Sequence, residues 1–204
     1  MLRLLAAAVV SVLGTACASG GDVAGDAGSS ETAGVVLANI DVEAIRARHP
    51  TSLFGIPPAA ARAEIHRVID GDTVEAVFPG GRTESVRLIG IDTPEKPGGH
   101  LPAECFGAEA TAFTAALLPP GTPILLTGGA ETRDVYDRLL AYIHRATDGL
   151  LVNMALAREG YADALSIPPN TDYAPHFAAA VEAGRAENLG LWAACGGADT
   201  PLPE

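Results

Sequence analysis

The sequence predicts an α+β domain in which a small five-stranded β-barrel is combined with three α-helices. Five short segments of strand character, bounded by glycine- and proline-rich turns, are interleaved with three segments of helical periodicity. Closing so small a sheet into a barrel removes its exposed edges. The chain has 204 residues, of which 48% are hydrophobic and 19% charged, and this composition excludes disorder along its whole length. One domain of ordinary size with appended sequence is therefore expected.

The predicted strands are defined by alternation and by the turns between them. They are Glu64–Ile69, Thr73–Phe78, Glu84–Ile91, Ile124–Thr127 and Leu139–His144. In the second strand, Val74, Ala76 and Phe78 fall on one face, because successive side chains of a strand point to opposite sides. Asp70-Gly71-Asp72 supplies the turn before this strand, and Pro79-Gly80-Gly81 supplies the turn after it.

The predicted helices are defined by apolar residues at helical spacing. They are Cys105–Leu118, Leu151–Glu159 and Pro175–Glu187. In the first helix, Phe106, Ala110 and Phe113 recur every three or four residues, which gives the helix one apolar face. The pair Pro119-Pro120 ends this helix, and Gly160 suits the position that follows the second one.

The start of the chain has the pattern of an export signal followed by a linker. Arg3 precedes the apolar run Leu4–Leu13, which is too short to span a bilayer, so residues 1–16 are interpreted as a signal peptide. Small residues then precede Cys17. This arrangement resembles a bacterial lipoprotein signal and favours lipidation of the cysteine over an ordinary cleaved leader. Residues 17–34, rich in Gly, Ala and Ser, are predicted to be a flexible linker. Either form of the signal predicts a domain outside the cytoplasm, lipid-anchored to the cell membrane or secreted.

The remaining boundaries divide the chain into an unassigned segment, a folded domain and a tail. Residues 35–61 have no assigned role, although Asp41 could cap a short helix that runs through Arg48. Residues 62–195 are predicted to form the folded domain, and residues 196–204 a C-terminal tail.

Four carboxylates of the predicted domain lie in or beside turns: Asp70, Asp72, Asp92 and Glu95. Clustered hard oxygens suit a hard cation such as Ca²⁺, which takes roughly six to eight oxygen ligands. Taken alone, the sequence Asp-Gly-Asp-Thr is also typical of an ordinary turn. The histidines show no metal-ligand spacing and are interpreted as structural or solvent-facing: His49, His66, His100, His144 and His176.

Two arginines accompany these carboxylates. Arg87 shares strand parity with two isoleucines, and an arginine on so apolar a face needs an anionic partner. Arg138 follows Asp134 and Tyr136 at the entrance to the fifth strand. Carboxylates for a metal, two guanidinium groups and one spare carboxylate are the parts needed to hydrolyse a phosphodiester. The plainer alternatives are that both arginines form structural ion pairs and that Tyr136 is a packed aromatic.

Three of these segments, in this order, resemble the staphylococcal nuclease-like family, the thermonucleases. The matching segments are Val68–Val74, Arg87–Glu95 and Asp134–Ile143, with weaker similarity at Val152–Leu156 with Gly160 and at Asn188–Trp192. The resemblance covers residues 62–195 and implies an OB-fold barrel with three helices. It also implies calcium-dependent cleavage of DNA and RNA with little sequence preference, leaving a 5′-hydroxyl and a 3′-phosphate. A monomer is expected.

The resemblance further implies which residues bind calcium. Asp72 and Asp92 correspond to the calcium ligands, together with the backbone carbonyl of Thr93. Asp70 corresponds to a carboxylate that acts on the ion through water.

The same resemblance implies the groups that act on the substrate. Glu95 corresponds to the general base, and Arg87 and Arg138 correspond to the pair that grips the scissile phosphate. Tyr136 corresponds to a contact with a terminal phosphate. No position of this set is substituted, which favours an active enzyme over a binding-only copy of the fold.

Two features depart from the family pattern. The best-known member carries two tyrosines that help seat a nucleotide base, whereas residues 165–169 of this chain contain no aromatic side chain. The chain also has 13 Lys and Arg against 25 Asp and Glu, a net charge of −12, so nucleic-acid binding without a metal should be weak. These departures leave open a non-catalytic OB-fold module that binds oligonucleotide or protein ligands. A calcium-binding surface protein is a further alternative, but it leaves both arginines unexplained.

The arrangement of the cysteines favours a disulfide over a zinc site. The three cysteines include no CxxC arrangement, which argues against a zinc ribbon. With Cys17 set aside, Cys105 and Cys195 form an even pair, and in an exported domain such a pair is expected to be a disulfide. Trp192 is interpreted as a core residue that closes the final helix.

Overall fold

The computed structural model describes residues 40–49, 55–57, 59–99 and 101–202. The predicted signal peptide, Cys17, the linker and His100 lie outside these residues. Within them, no helix combines the length and the apolar composition that crossing a membrane requires.

The described residues form seven strands and five helices, which turns and loops connect. The strands are β1 Ala61–Val68, β2 Thr73–Val77, β3 Thr83–Leu88, β4 Gly90–Asp92, β5 Pro123–Thr127, β6 Leu139–Arg145 and β7 Asp163–Leu165. The helices are α1 Val42–Arg48, α2 Gly107–Leu117, α3 Val152–Arg158, α4 Ala174–Ala186 and α5 Leu191–Ala194. Each predicted strand and helix has a counterpart here, with ends that differ by a few residues.

Five of the strands close into a barrel in the order β1-β2-β3-β6-β5. Neighbouring strands are antiparallel except for β3 and β6, which run parallel. Val74 and Ala76 of β2 are fully buried, as the alternation predicted, and they share the core with Val86, Leu88 and Ile143. The predicted α+β class with a five-stranded barrel is therefore confirmed.

The third predicted strand, Glu84–Ile91, is wrong as a single element. β3 ends at Leu88, and β4 begins at Gly90 and pairs with β7, a strand that the sequence analysis did not predict. Gly90 has a φ angle of +86°, and a Cβ atom there would lie 2.6 Å from the ring of Phe177. Both facts require glycine at this turn. The break takes Asp92 out of the barrel sheet.

The described part of the unassigned segment is a helix packed on the domain. Asp41 caps α1, as expected, by accepting a hydrogen bond from an amide of the first turn at 2.9 Å. Ile45 is buried in the core. Arg48 Nε donates to Glu159 Oε1 at 3.0 Å, and His49 Nε2 lies 3.0 Å from the same oxygen. The folded unit thus begins before the first barrel strand.

The end of the domain is fixed by the predicted disulfide. Cys105 and Cys195 are bonded, with their Cα atoms 6.0 Å apart. Trp192 lies in α5 and is buried in the core, as predicted. Helix α2 begins at Gly107, two residues later than expected, because Phe106 has a φ angle of +75° that does not fit a helix.

Candidate active site

The turn between β1 and β2 meets the loop that follows β4. Asp72 Oδ2 accepts hydrogen bonds from both the backbone amide and the hydroxyl group of Thr93, each at 3.0 Å. Gly71 permits this approach, because a Cβ atom there would lie 2.5 Å from the hydroxyl oxygen of Thr93. Asp70 Oδ1 accepts a hydrogen bond from the Asp72 amide at 3.2 Å. Two of the predicted carboxylate segments are therefore held together.

Arg87 bridges the two carboxylates that the sequence resemblance assigns to calcium. Its Nη1 atom pairs with Asp72 Oδ1, and its Nη2 atom donates to Asp92 Oδ1 at 2.6 Å and to the carbonyl oxygen of Ile91 at 3.2 Å. The side chain of Asp72 is buried, whereas that of Asp92 is 49% exposed. The anionic partner expected for Arg87 is thus present twice, and Asp92 is the member of the pair that faces solvent.

Arg138 lies near Asp72 and is linked to it through the hydroxyl group of Thr73. The hydroxyl group of Thr73 donates to Asp72 Oδ1 at 3.1 Å, and Arg138 Nη1 lies 3.5 Å from the hydroxyl oxygen of Thr73. Asp134 fixes the guanidinium by accepting a hydrogen bond from Arg138 Nε at 2.7 Å. Burial raises the pKa of Asp134, but hydrogen bonds from the side chain and backbone of Arg138 outweigh burial and hold that pKa below its usual value.

Tyr136 projects from the turn that carries these groups. Its side chain is 78% exposed, so the interpretation as a packed aromatic is wrong. The guanidinium of Arg138 lies 5.5 Å from the centre of its ring. Asp134 also accepts a hydrogen bond from the Tyr136 amide at 3.0 Å, which fixes the backbone from which the ring extends. An exposed ring beside an arginine is available to a ligand.

Glu95 lies in a region of excess negative charge. Burial raises the pKa of its carboxyl group, and the nearby carboxylates of Asp70, Glu104 and Asp92 raise it further, while Arg87 acts in the opposite direction. Glu95 therefore holds a proton more readily than an ordinary glutamate does. A cation bound here would relieve the repulsion among these groups.

Glu104 is a residue of this site that the sequence analysis missed. Its Oε2 atom accepts a hydrogen bond from the Glu95 amide at 3.0 Å, and its own amide donates to the Glu95 carbonyl oxygen at 2.9 Å. The one signal in the sequence was its position next to Cys105, a cysteine expected to be tied to the end of the domain.

The donors at this site fit a hard cation. Asp72 and Asp92 already converge on one positive group, the Arg87 guanidinium, and they offer only oxygen atoms, which is the chemistry that Ca²⁺ prefers. In the part of the chain that the structure describes, no group of three or more Asp, Glu, His or Cys side chains could hold a metal ion. Asp72 and Asp92 alone would not complete the shell of such an ion, so further oxygen donors would be needed.

The loop between β7 and α4 includes the segment in which the family's best-known member carries two tyrosines and this chain carries none. Asn170 fixes it, because its amide nitrogen donates to the carbonyl oxygen of Glu131 and its Oδ1 atom accepts from the Glu131 amide, both at 2.9 Å. Ile167 of this loop is 61% exposed. Residues 165–169 thus present an aliphatic side chain to solvent and contain no aromatic ring, whereas the ring of Tyr173 at the end of the loop packs against Tyr142.

Comparison with known proteins gives the same family as the sequence resemblance. Residues 85–194 match the family described as "Staphylococcal nuclease homologue". The chain belongs to the staphylococcal nuclease family. It is 36% identical to "Thermonuclease" of Staphylococcus intermedius over 128 residues, which are 63% of this chain and 74% of the relative. It is 31% identical over 133 residues to "Endonuclease YncB" of Bacillus subtilis (strain 168), covering 65% of this chain and 62% of the relative. Identity to "Endonuclease YhcR" of the same strain is 32% over 148 residues, which are 66% of this chain and only 12% of that protein.

The match to the staphylococcal nuclease family contains most of the site. Arg87, Asp92 and Glu95 lie within the matched residues, whereas Asp72 precedes them. The structure joins the two parts, because Asp72 pairs directly with Arg87. The match itself confirms the family, and the roles of the individual residues stay predictions.

Proposed function

We propose that this chain is a calcium-dependent endonuclease that hydrolyses phosphodiester bonds of DNA and RNA with little sequence preference. Family membership and the names of the relatives, a thermonuclease and two endonucleases, support a hydrolase of the nuclease class. The observation that carries the proposal is the contact of Arg87 with both Asp72 and Asp92. It brings together the two carboxylates proposed to bind calcium and an arginine proposed to bind phosphate.

Asp72, Asp92 and the Thr93 carbonyl oxygen are the groups that would hold calcium. When bound, the ion would supply positive charge that offsets the charge developing on phosphorus-bound oxygens during hydrolysis. Asp70 lies next to this set through its hydrogen bond with the Asp72 amide, and its carboxylate is available to a water molecule of the ion.

The remaining groups act on the phosphate and on the attacking water. Arg87 has more N–H donors than its three contacts use, and Arg138 is held nearby by Asp134, so both can bind phosphate oxygens. Glu95 would take the proton of the attacking water, since it is the carboxylate beside this set that is not assigned to the ion. Tyr136, exposed beside Arg138, would contact a terminal phosphate.

We further propose that the enzyme works outside the cytoplasm, attached to the membrane through a lipid on Cys17. Two features support an extracytoplasmic location: the signal pattern of residues 1–16 and the Cys105–Cys195 disulfide, since disulfides persist in oxidising compartments. The small residues before Cys17 support lipidation over simple secretion.

Nicking of supercoiled plasmid, assayed with Ca²⁺ and with a chelator, tests this function. Wild-type protein should nick the plasmid and degrade single-stranded DNA with Ca²⁺, and should do neither in the chelator. Arg87→Ala should lower the rate by about 100-fold or more, because it removes charge stabilisation at the phosphate. Arg67→Ala is the matched control, because Arg67 is an exposed arginine of β1 that pairs with Glu75, and its rate should equal that of the wild type.

Two outcomes would contradict the proposal. Cleavage that persists in the chelator would exclude calcium dependence, and equal rates for Arg87→Ala and Arg67→Ala would exclude the proposed site. Calcium-dependent binding of the DNA with no cleavage would instead favour the non-catalytic module. The acidic composition of the chain and the exposed aliphatic Ile167 support that alternative.

A further inference from the structure

The backbone of Glu95 is held from two directions by residues at the start of α2. Glu104 makes two reciprocal hydrogen bonds with Glu95, one through its carboxylate at 3.0 Å and one through its amide at 2.9 Å. Gly107 packs against the same peptide, because a Cβ atom there would lie 2.0 Å from the Glu95 carbonyl oxygen. Glu104 therefore binds both backbone polar groups of Glu95, its amide and its carbonyl oxygen.

The segment that carries Glu104, residues 103–105, is also bound by the C-terminal tail, here residues 196–202. Residues 103–105 run antiparallel to the end of the tail, where Glu104 forms a β-bridge with Pro201. The amides of Cys105 and Leu202 donate to carbonyl oxygens across the pair at 2.7 Å and 3.3 Å. The disulfide joins Cys105 to the residue that immediately precedes the tail. Glu104 thus lies between Glu95 on one side and a covalently anchored tail on the other.

We propose that Glu104 is a positioning residue for Glu95, and that the disulfide-anchored tail holds Glu104 in place for this purpose. The inference rests on the proposed function, in which Glu95 is the general base. A base must lie within hydrogen-bonding reach of the proton that it removes. A misplacement of about 1 Å caused by a change away from the reacting atoms can slow an enzyme by about 100-fold. The tail, which was given no role from the sequence, then contributes to the geometry of catalysis.

A pair of variants at Glu104 separates positioning from charge. Glu104→Ala removes the acceptor of the Glu95 amide, whereas Glu104→Gln keeps an acceptor oxygen and removes the charge. We expect Glu104→Ala to lower kcat by about tenfold or more while KM for single-stranded DNA changes by less than about threefold. Glu104→Gln should keep kcat within about threefold of wild type. Glu109→Ala is the matched control, since it removes a glutamate of α2 that has no hydrogen bond with Glu95, and it should behave as the wild type.

The role of the tail is tested by opening the disulfide. Wild-type protein reduced by dithiothreitol, and the double variant Cys105→Ser/Cys195→Ser, are assayed at a temperature at which circular dichroism shows both to be folded. Each should lose kcat by about threefold or more, with KM nearly unchanged. Because the two forms open the same link by different routes, agreement between them excludes a side effect of the reductant.

The outcomes distinguish this inference from the function on which it rests. A wild-type protein without calcium-dependent cleavage, or a Glu95→Ala variant as active as wild type, would refute the proposed function or the role of Glu95. If wild type is active and Glu95→Ala is not, then full activity of Glu104→Ala would overturn the positioning role alone. Equal losses for Glu104→Ala and Glu104→Gln would also overturn it, since charge and not the hydrogen bond would then matter. An unchanged kcat in both the dithiothreitol-reduced wild type and the double serine variant would overturn the role of the tail.

Discussion

Asn153 provides a test of how the fold positions the site. The side chain is fully buried in α3, and it makes three hydrogen bonds to backbone groups of other elements. Its Oδ1 atom accepts from the Ile143 amide at 2.9 Å, and its Nδ2 atom donates to the carbonyl oxygens of Ile89 at 2.9 Å and Ala141 at 3.2 Å. Ile89 lies at the break between β3 and β4, so this amide group holds the turn that separates Arg87 from Asp92.

Asn153→Ala should lower the free energy of unfolding by about 3 kcal/mol, from three lost bonds at about 1 kcal/mol each. Asn170→Ala is the comparison, because it loses two bonds to one loop residue, Glu131, and should cost about 2 kcal/mol. Urea unfolding of the disulfide-bonded proteins measures both changes from the midpoint and slope. A loss below about 1 kcal/mol for Asn153→Ala, or one smaller than that of Asn170→Ala, would show that these hydrogen bonds do not hold the turn at Ile89.

Two further predictions concern acid stability and binding without metal. Burial raises the pKa of Glu159, but hydrogen bonds with His49 and Arg48 outweigh it, so the pKa in the folded protein lies below the usual value. Glu159 therefore stabilises the fold above its unfolded pKa of about 4.3, and this contribution is lost as the pH falls through the lower folded pKa. Unfolding free energies measured from neutral pH into this range should fall more steeply for wild type than for Glu159→Gln, and parallel curves would contradict the assignment. Separately, fluorescence anisotropy should detect no binding of single-stranded DNA in chelator at about micromolar protein, because the chain has few cations to neutralise phosphates. Micromolar affinity under these conditions would contradict that expectation.

The barrel strands could be predicted from the sequence because their signals are local. In β2, the apolar residues Val74 and Ala76 alternate with Thr73 and Glu75, which is the period expected of a strand that turns one face to the core. The glycines at 80 and 81 have φ angles of +92° and +84°, so they mark a turn that few other residues could form. The same holds for the cap at Asp41, which depends on an amide three residues away.

The break in the third strand could not be predicted, because its cause is distant in the sequence. The run of apolar residues from Leu88 to Ile91 is typical of one continuous strand. What interrupts it is Gly90, whose neighbour Phe177 comes from α4. β7 was missed for the same reason, since its three residues form a strand only because β4 has left the barrel and needs a partner.

In the candidate site, too, local sequence predicted the charged residues but not the contacts among them. Its charged residues could be selected from three short segments, but the contact of Asp72 with Thr93 joins residues 21 positions apart. The role of Glu104 depends on a tail that pairs with residues 103–105 from the far end of the chain. No periodicity or turn pattern near Glu104 indicates this, because the pairing is tertiary.

The proposed role of Asp92 in binding calcium is tested by the Ca²⁺ concentration that cleavage by Asp92→Asn requires. Asp41, the exposed cap of α1, supplies the matched control Asp41→Asn, because asparagine also accepts the cap hydrogen bond. Wild type and Asp41→Asn should reach half-maximal rate at the same Ca²⁺ concentration, whereas Asp92→Asn should need about tenfold more or show no cleavage. Identical calcium dependence for all three proteins would contradict the claim that Asp92 helps to bind the ion that drives hydrolysis.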